Sequence, residues 1–246
     1  MTNQLKLKQL LKLLDLTRLT ETDDASDMQN WLQQHVQADG LPAAFCVYPQ
    51  FLPQTLAAIA PYPSVGLATV VNFPAGLAAT DDVVSQIQHA LAAGANEIDC
   101  VLPYRALLAG ECGQVKNFLY DIRQATGPAV LKIIIESGEL STAQQIIKAT
   151  ELVIDCGADF VKSSTGKVPV GITTEAARIM LTVIAAANRP VGFKASGGVR
   201  TIAQALELVQ MYEEITGQLA KPELVRIGAS ALYQELIHQL AQPAKV

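Results

Sequence analysis

The sequence predicts an α/β fold, a single-domain (β/α)8 barrel (TIM barrel) spanning residues 1–246. Short β-branched runs alternate with longer helix-like runs, a pattern that implies parallel strands joined by right-handed crossovers. The chain length of 246 residues is typical of one α/β barrel. Eight strand-like runs are present, which favours a closed barrel over a doubly wound open sheet.

The predicted strands are runs rich in valine, isoleucine and leucine, bounded by Gly, Pro or polar residues. They are Leu11–Thr17, Ala43–Tyr48, Val65–Phe73, Glu97–Leu102, Val130–Glu136, Asp159–Ser163, Val191–Ser196 and Leu224–Ala229. Between them, Thr80–Asp82, Ser141–Gln144 and Thr173–Glu175 have the composition of helix starts. A short internal similarity supports a repeated βα unit, because Asp99 and Lys162 follow a Gly-Ala helix stop at the same offset.

Composition limits the function. Half of the residues are hydrophobic, 17% are charged and the formal net charge is −5, so no basic surface for nucleic acid is expected. The four cysteines have no C-x-x-C spacing, and neither a membrane span nor a secretory signal is evident, which indicates a cytoplasmic protein. P-loop and dinucleotide motifs are absent, and the histidines are widely separated. We therefore expect no cofactor and no metal site.

Charged residues inside predicted strands are the unusual feature. They are Asp15, Asp99, Lys132, Lys162 and Lys194. Barrel strands are buried on both faces, and charged side chains are rarely buried unless they are paired. Five of them on separate strands would be costly as structure alone, although Lys132 by itself suits a structural ion pair.

Two neighbouring lysines suit one particular chemistry. A lysine must lose its proton before it forms a Schiff base, and its ordinary pKa is about 10.4. A second cation about 4 Å away, at an effective dielectric near 20, opposes protonation by roughly 4 kcal/mol, or about three pKa units. We predict that Lys162 is the Schiff-base nucleophile, that Lys194 lowers its pKa, and that Asp99 holds Lys194 charged and relays protons.

The last two predicted strands lead into glycine-rich turns, at Gly197-Gly198 and Gly228–Ser230. Backbone N–H groups at such turns and at the following helix starts bind phosphate. In α/β barrels, phosphate sites commonly follow the seventh and eighth strands. These turns therefore predict a phosphate-binding site.

Three segments resemble the signature segments of class I deoxyribose-phosphate aldolases, and the similarity continues in order along nearly the whole chain. They are Asn96–Arg105, Asp159–Lys167 and Val191–Thr201. The resemblance implies reversible cleavage of 2-deoxy-D-ribose 5-phosphate to acetaldehyde and D-glyceraldehyde 3-phosphate. It implies the same roles for Lys162, Lys194 and Asp99, a place in deoxynucleotide catabolism, and a monomer or homodimer.

The resemblance also implies how substrate is held. Asp15 and Lys167 resemble residues near the substrate hydroxyls. The residues that resemble the phosphate site are Gly166, Gly197, Gly198, Gly228 and Ser230. Two departures stand out: Ala231 replaces a second Ser of some members, which implies one phosphate contact fewer, and Gln242–Val246 lacks the terminal Tyr that assists proton transfer in some members.

Two other functions fit some of these features. A class I aldolase or transaldolase acting on another phosphosugar would use the same strand lysine and phosphate loops. A non-catalytic phosphosugar-binding barrel would lack Lys162, Lys194 or Asp99, and all three are present. Cys46 is a further candidate, a thiol near the end of the second strand that would react with the enal formed from two acetaldehydes. The alternative for Cys46 is an inert core residue.

Overall fold

Eight strands and the helices between them make up most of residues 3–242, which are the residues that the computed structural model describes. All neighbouring strands pair in parallel, and the first strand pairs with the eighth, so the sheet is a closed barrel. The predicted (β/α)8 barrel is therefore confirmed. The strands are β1 (Leu14–Arg18), β2 (Ala44–Val47), β3 (Gly66–Val71), β4 (Glu97–Val101), β5 (Val130–Ile134), β6 (Phe160–Lys162), β7 (Gly192–Ser196) and β8 (Val225–Ala229).

Helices follow every strand and cover the outside of the barrel. They are α1 (Asn3–Leu13), α2 (Ala25–His35), α3 (Leu52–Ile59), α4 (Thr80–Ala92), α5 (Tyr104–Leu108), α6 (Cys112–Thr126), α7 (Ala143–Asp155), α8 (Thr174–Ala185), α9 (Ile202–Thr216) and α10 (Leu232–Leu240). None of the helices within residues 3–242 is long and apolar enough to cross a membrane.

The N-terminal boundary of β1 differs from its prediction. The predicted strand began at Leu11, but α1 continues through Leu13 and the strand begins at Leu14. Leu7, Leu10 and Leu11 are all buried, and their spacing places them on one face of a helix. That face packs against α9, α10 and β8, so tertiary contacts turn an apolar run into a helix.

Several helices begin at a threonine N-cap. Thr142 accepts a hydrogen bond from the backbone N–H of Gln145, whose side chain returns the contact, and Thr173 caps α8. The predicted start of α4 is wrong in detail, because Thr80 already lies in the helix. Its N-cap is Ala79, which offers no side-chain oxygen to the first turn.

Small residues on the barrel wall make room for long side chains inside it. A Cβ added to Gly66 would lie 2.6 Å from Glu97 Oε1, and a Cβ on Gly192 would lie 2.3 Å from the Phe160 ring. Glycine at these positions therefore leaves room inside the barrel for the Glu97 and Phe160 side chains, which a larger residue at either position would displace.

The cysteines and histidines occupy unremarkable positions. Cys46, Cys100, Cys112 and Cys156 are all free thiols, and the first two are fully buried. The histidines lie on three different helices, at His35, His89 and His238. No group of three or more His, Cys, Asp or Glu side chains in the described part of the chain is placed to hold a metal ion. Of the C-terminal segment discussed above, Pro243–Val246 lies outside the described residues.

Candidate active site

Asp99 lies at the centre of a buried ion cluster inside the barrel. Its Oδ2 accepts hydrogen bonds from Lys162 Nζ at 2.7 Å and from Lys194 Nζ at 2.6 Å, while its Oδ1 accepts one from Lys132 Nζ at 2.9 Å. Asp99, Lys132 and Lys194 are completely buried, and Lys162 is 3% exposed. The structure therefore brings together the three predicted catalytic residues, which come from β4, β6 and β7.

A second layer of charges lies below this centre, towards the N-terminal ends of the strands. Asp15 accepts from Lys194 Nζ at 2.5 Å and from Arg226 Nη1 at 2.6 Å. Glu97 accepts from Lys132 Nζ at 2.5 Å and from Arg226 Nη2 at 2.9 Å. Each carboxylate of this ion cluster thus has at least two cationic partners, which offsets the desolvation cost of burying it.

Burial is the largest influence on the Lys162 amine. It lowers the pKa of Lys162 below the ordinary value, the Lys194 ammonium lowers it further, and the Asp99 carboxylate opposes both effects. Burial also acts to lower the pKa of Lys194, but Asp15 and Asp99 outweigh it and raise that pKa. The direction of both shifts agrees with a neutral Lys162 beside a charged Lys194.

A cavity of about 220 Å³ opens above Lys162 at the C-terminal ends of the strands. Three loops line it: the one after β6 at Gly166, the one after β7 at Gly197 and Gly198, and the one after β8 at Gly228 and Ser230. The three loop glycines after β6 and β7 have positive φ angles of 74°, 84° and 98°. L-residues rarely adopt this conformation, so these glycines permit the turns that bring backbone groups to the cavity. All the predicted phosphate-site residues thus surround one space.

Glu136 stabilises the loop after β6 through hydrogen bonds. Its carboxylate accepts hydrogen bonds from Ser164 Oγ and Thr165 Oγ1, each at 2.5 Å, and from the Thr165 backbone N–H at 3.1 Å. Ser164 Oγ in turn accepts from the backbone N–H of Gly166 at 3.1 Å. Ser196 Oγ donates to the Ser164 carbonyl at 2.6 Å, which ties this loop to the end of β7. The loop that carries Gly166 is therefore fixed by buried polar contacts.

Three predicted site residues occupy different depths. Lys167 lies exposed at the rim, where its Nζ donates to the Leu19 carbonyl at 3.0 Å. Asp15 is completely buried beneath Lys194 rather than in the wall of the cavity. Cys46 lies inside the barrel, 0% exposed and packed with Ala68 and Val70, and its pKa is raised chiefly by burial.

Sequence reasoning did not identify Glu97, Arg226 or Glu136 as part of the site. Glu97 resembled a polar strand start, and Arg226 lay in the predicted strand that leads into the second glycine-rich turn. Glu136 carried one local signal in the sequence, because it is a charged residue at the end of an apolar predicted strand. The structure gives it a φ of 53°. Positive φ at a bulky residue is rare and marks a constrained position.

The sequence matches a family model over residues 9–233, and that model describes the DeoC/LacD family aldolases. The chain belongs to this family. The match includes every strand of the barrel and each member of the ion cluster around Asp99. The buried lysine centre and the glycine-lined cavity therefore lie in an aldolase.

Solved structures resemble this aldolase over nearly its whole length. A protein of Coccidioides immitis, provisionally assigned as a deoxyribose-phosphate aldolase, is 29% identical with a TM-score of 0.82, covering 92% of this chain and 85% of that one. QR15, described as an aldolase, is 27% identical with a TM-score of 0.80, covering 95% and 99%. The deoxyribose phosphate aldolase of Aeropyrum pernix, described as a unique tetramer, shares the fold at 23% identity and a TM-score of 0.73, covering 98% and 99%.

Proposed function

We propose that this aldolase reversibly cleaves 2-deoxy-D-ribose 5-phosphate to acetaldehyde and D-glyceraldehyde 3-phosphate, through a Schiff base on Lys162 and without a metal. One observation carries the proposal: a buried amine with a lowered pKa lies beneath a cavity lined by three glycine-containing loops. The amine supplies the nucleophile, and the loops supply backbone groups for a phosphate.

The chemistry proceeds in balanced steps. The Lys162 amine adds to the C1 aldehyde of the open-chain sugar, and loss of water leaves a protonated Schiff base. Loss of the proton from the C3 hydroxyl lets the C2–C3 bond break, and its electron pair moves towards the iminium to give an enamine and glyceraldehyde 3-phosphate. Protonation of the enamine carbon and addition of water then release acetaldehyde and restore the amine.

Asp99 is the group placed to move protons at the amine. Its Oδ2 contacts both Lys162 and Lys194, so this one carboxylate oxygen can accept a proton at Lys162 and return it. Lys194 stays charged through its contact with Asp15. The Lys194 cation lowers the pKa of Lys162, which favours the neutral amine before it attacks the substrate and disfavours its reprotonation between turnovers.

The substrate assignment rests on the loops after β7 and β8 and on the relatives assigned to this activity. A Schiff-base aldolase acting on a longer phosphosugar would use the same lysine, and the family description covers more than one kind of aldolase. The identity of the aldol donor therefore distinguishes these two reactions. Acetaldehyde and dihydroxyacetone phosphate should each be assayed as donor with glyceraldehyde 3-phosphate as acceptor.

We expect product only with acetaldehyde, and we expect borohydride in the presence of acetaldehyde to attach a two-carbon group to Lys162. Peptide mass mapping identifies the modified residue, with the Lys162→Met variant as the control. An adduct mainly on Lys194 or Lys167 would remove the assignment of the nucleophile. Product only with dihydroxyacetone phosphate would move the enzyme to the other phosphosugar reaction.

A further inference from the structure

The ion cluster extends beyond the residues that meet substrate. Arg226 and Glu97 lie at the opposite end of the barrel from the candidate active site, where both line a separate cavity of about 840 Å³ at the N-terminal mouth. They contact each other, and each also contacts a member of the central cluster: Arg226 contacts Asp15 at 2.6 Å, and Glu97 contacts Lys132 at 2.5 Å. One continuous set of ion pairs therefore runs from that mouth to the Lys162 amine.

The charges of this set balance only when the nucleophile is neutral. Its carboxylates are Asp15, Glu97 and Asp99, and its cations besides Lys162 are Lys132, Lys194 and Arg226. The Asp15 and Asp99 carboxylates help raise the pKa values of Lys132 and Lys194, so both remain charged. A proton on Lys162 would give this buried set an uncompensated positive charge, which a low-dielectric interior disfavours.

We infer that Arg226 is a positioning residue that balances the charge of Glu97 in the buried cluster and so keeps Lys162 in its neutral, nucleophilic form. The inference rests on the proposed role of Lys162 as the nucleophile. Neither residue lines the cavity above Lys162, so neither contacts substrate there. Their influence reaches the amine through the field of the cluster.

Other charged or titratable groups face Lys162 from the surrounding strands. Asp99 on β4, Lys194 on β7 and Cys46 on β2 act on it directly. Lys132 on β5 and Asp15 on β1 act through their contacts with Asp99 and Lys194. None of these groups is itself replaced by a substitution at the N-terminal mouth, so such substitutions remove a charge that lies farther from the amine.

The test measures how fast Lys162 in each full-length variant is reductively alkylated by acetaldehyde and cyanoborohydride, as a function of pH. A unit charge about 10 Å away, at an effective dielectric near 20, alters a pKa by roughly one unit. Glu97→Gln removes a negative charge and should lower the midpoint by about one pH unit. Arg226→Gln removes a positive charge and should raise the midpoint by about as much, which reduces the neutral amine about tenfold below the midpoint.

Matched controls separate charge from structure. The double variant Glu97→Gln/Arg226→Gln restores the balance, and its midpoint should return close to that of the unaltered protein. Arg226→Lys keeps the charge and should leave the midpoint in place. Glu223→Gln removes the same charge from an exposed residue at the same mouth, outside the cluster, and should also have no effect.

Two results would overturn the inference: single variants that move the midpoint in the same direction, or variants that slow alkylation equally at every pH. If Glu97→Gln does not fold, Gly66→Ala replaces it, because the added Cβ would lie 2.6 Å from Glu97 Oε1 and would displace that carboxylate away from the cluster without removing its charge. Its midpoint should fall, and an unchanged midpoint would count against the inference. Failure of Lys162 to react in the unaltered protein would instead refute the proposed function.

Discussion

Lys162 and Lys194 lie opposite each other on neighbouring strands, and their nitrogens contact the same oxygen of Asp99 at 2.7 and 2.6 Å. The two lysines are not equivalent, because Lys194 has a second carboxylate, Asp15, at 2.5 Å. Burial lowers the pKa of Lys162, whereas the two carboxylates raise that of Lys194. Both shifts therefore favour a proton on Lys194 over a proton on Lys162.

Replacing Lys194 tests this division directly. Lys194→Leu removes the neighbouring cation and leaves Asp99 beside Lys162, so the pKa of Lys162 should rise. We expect kcat/KM at pH 7 to fall roughly a hundredfold or more, with partial recovery at high pH, because only the neutral amine attacks. Measurement of kcat/KM from pH 6 to 10 checks this. A loss that is the same at every pH would mean that Lys194 transfers a proton itself.

Phosphate recognition can be tested by adding charge to the cavity rim. Ser230→Asp places a carboxylate beside the glycine loops, where it repels a phosphate. We expect kcat/KM for 2-deoxyribose 5-phosphate to fall about tenfold or more, while the slower reaction of 2-deoxyribose is little changed. Ser141→Asp, at an exposed position before α7, is the control. Equal losses for both sugars would place the phosphate elsewhere.

Glu136 should affect substrate binding more than chemistry. Glu136→Ala leaves the Ser164 and Thr165 hydroxyls without their acceptor and loosens the loop that carries Gly166. We expect KM for the phosphosugar to rise severalfold, while borohydride trapping of acetaldehyde on Lys162 proceeds at the normal rate. Glu139→Ala, an exposed residue in the same segment, should leave both unchanged. A slower trapping reaction would show that Glu136 acts on the amine.

Metal removal should have no effect. Lysine and arginine side chains already neutralise Asp15, Glu97 and Asp99, and the proposed mechanism has no step for a divalent cation. We expect kcat/KM to be the same before and after dialysis against EDTA, in buffer freed of metals. Inactivation that zinc reverses would contradict the Schiff-base assignment.

Cys46 remains a candidate for damage by aldehydes. Its thiol is fully buried and its pKa is raised, which makes attack from solvent unfavourable, but it lies inside the barrel, near enough to Lys162 for the two groups to influence each other electrostatically. An enal formed on Lys162 would therefore meet the thiol without leaving the site. We expect Cys46→Ala to survive concentrated acetaldehyde longer than the unaltered enzyme, with Cys112→Ala as the control. Identical half-lives would leave Cys46 a core residue.

The sequence was sufficient for the fold, and it singled out three charged residues that the structure brings together. Continuous apolar runs located every strand, because parallel barrel strands are apolar on both faces and any charge within them is conspicuous. Asp99, Lys162 and Lys194 were found for that reason. The N-terminal end of β1 was misplaced because Leu10 and Leu11 belong to α1. This helix is stabilised by tertiary contacts that no local pattern reveals.

The outer part of the cluster was harder to predict. Glu97 and Arg226 are separated by 129 residues and meet only because β4 and β8 face each other across the barrel. Their meeting depends on the height of each side chain inside a closed sheet, which follows from strand register rather than from any local pattern. Lys132 was noticed, but its partners could not be assigned for the same reason.

The closure of the barrel has a consequence for the newly made chain. Asp15 belongs to the first strand, while Lys194 and Arg226 follow it by 179 and 211 residues on the last two strands. A chain with only six strands in place has Lys162 but not these cations, and its amine remains an ordinary protonated lysine. Under the proposed mechanism, the reactive amine therefore arises only when β7 and β8 close the barrel onto β1. Until then, the proposed nucleophile of an unfinished barrel stays protonated and does not condense with aldehydes in its surroundings.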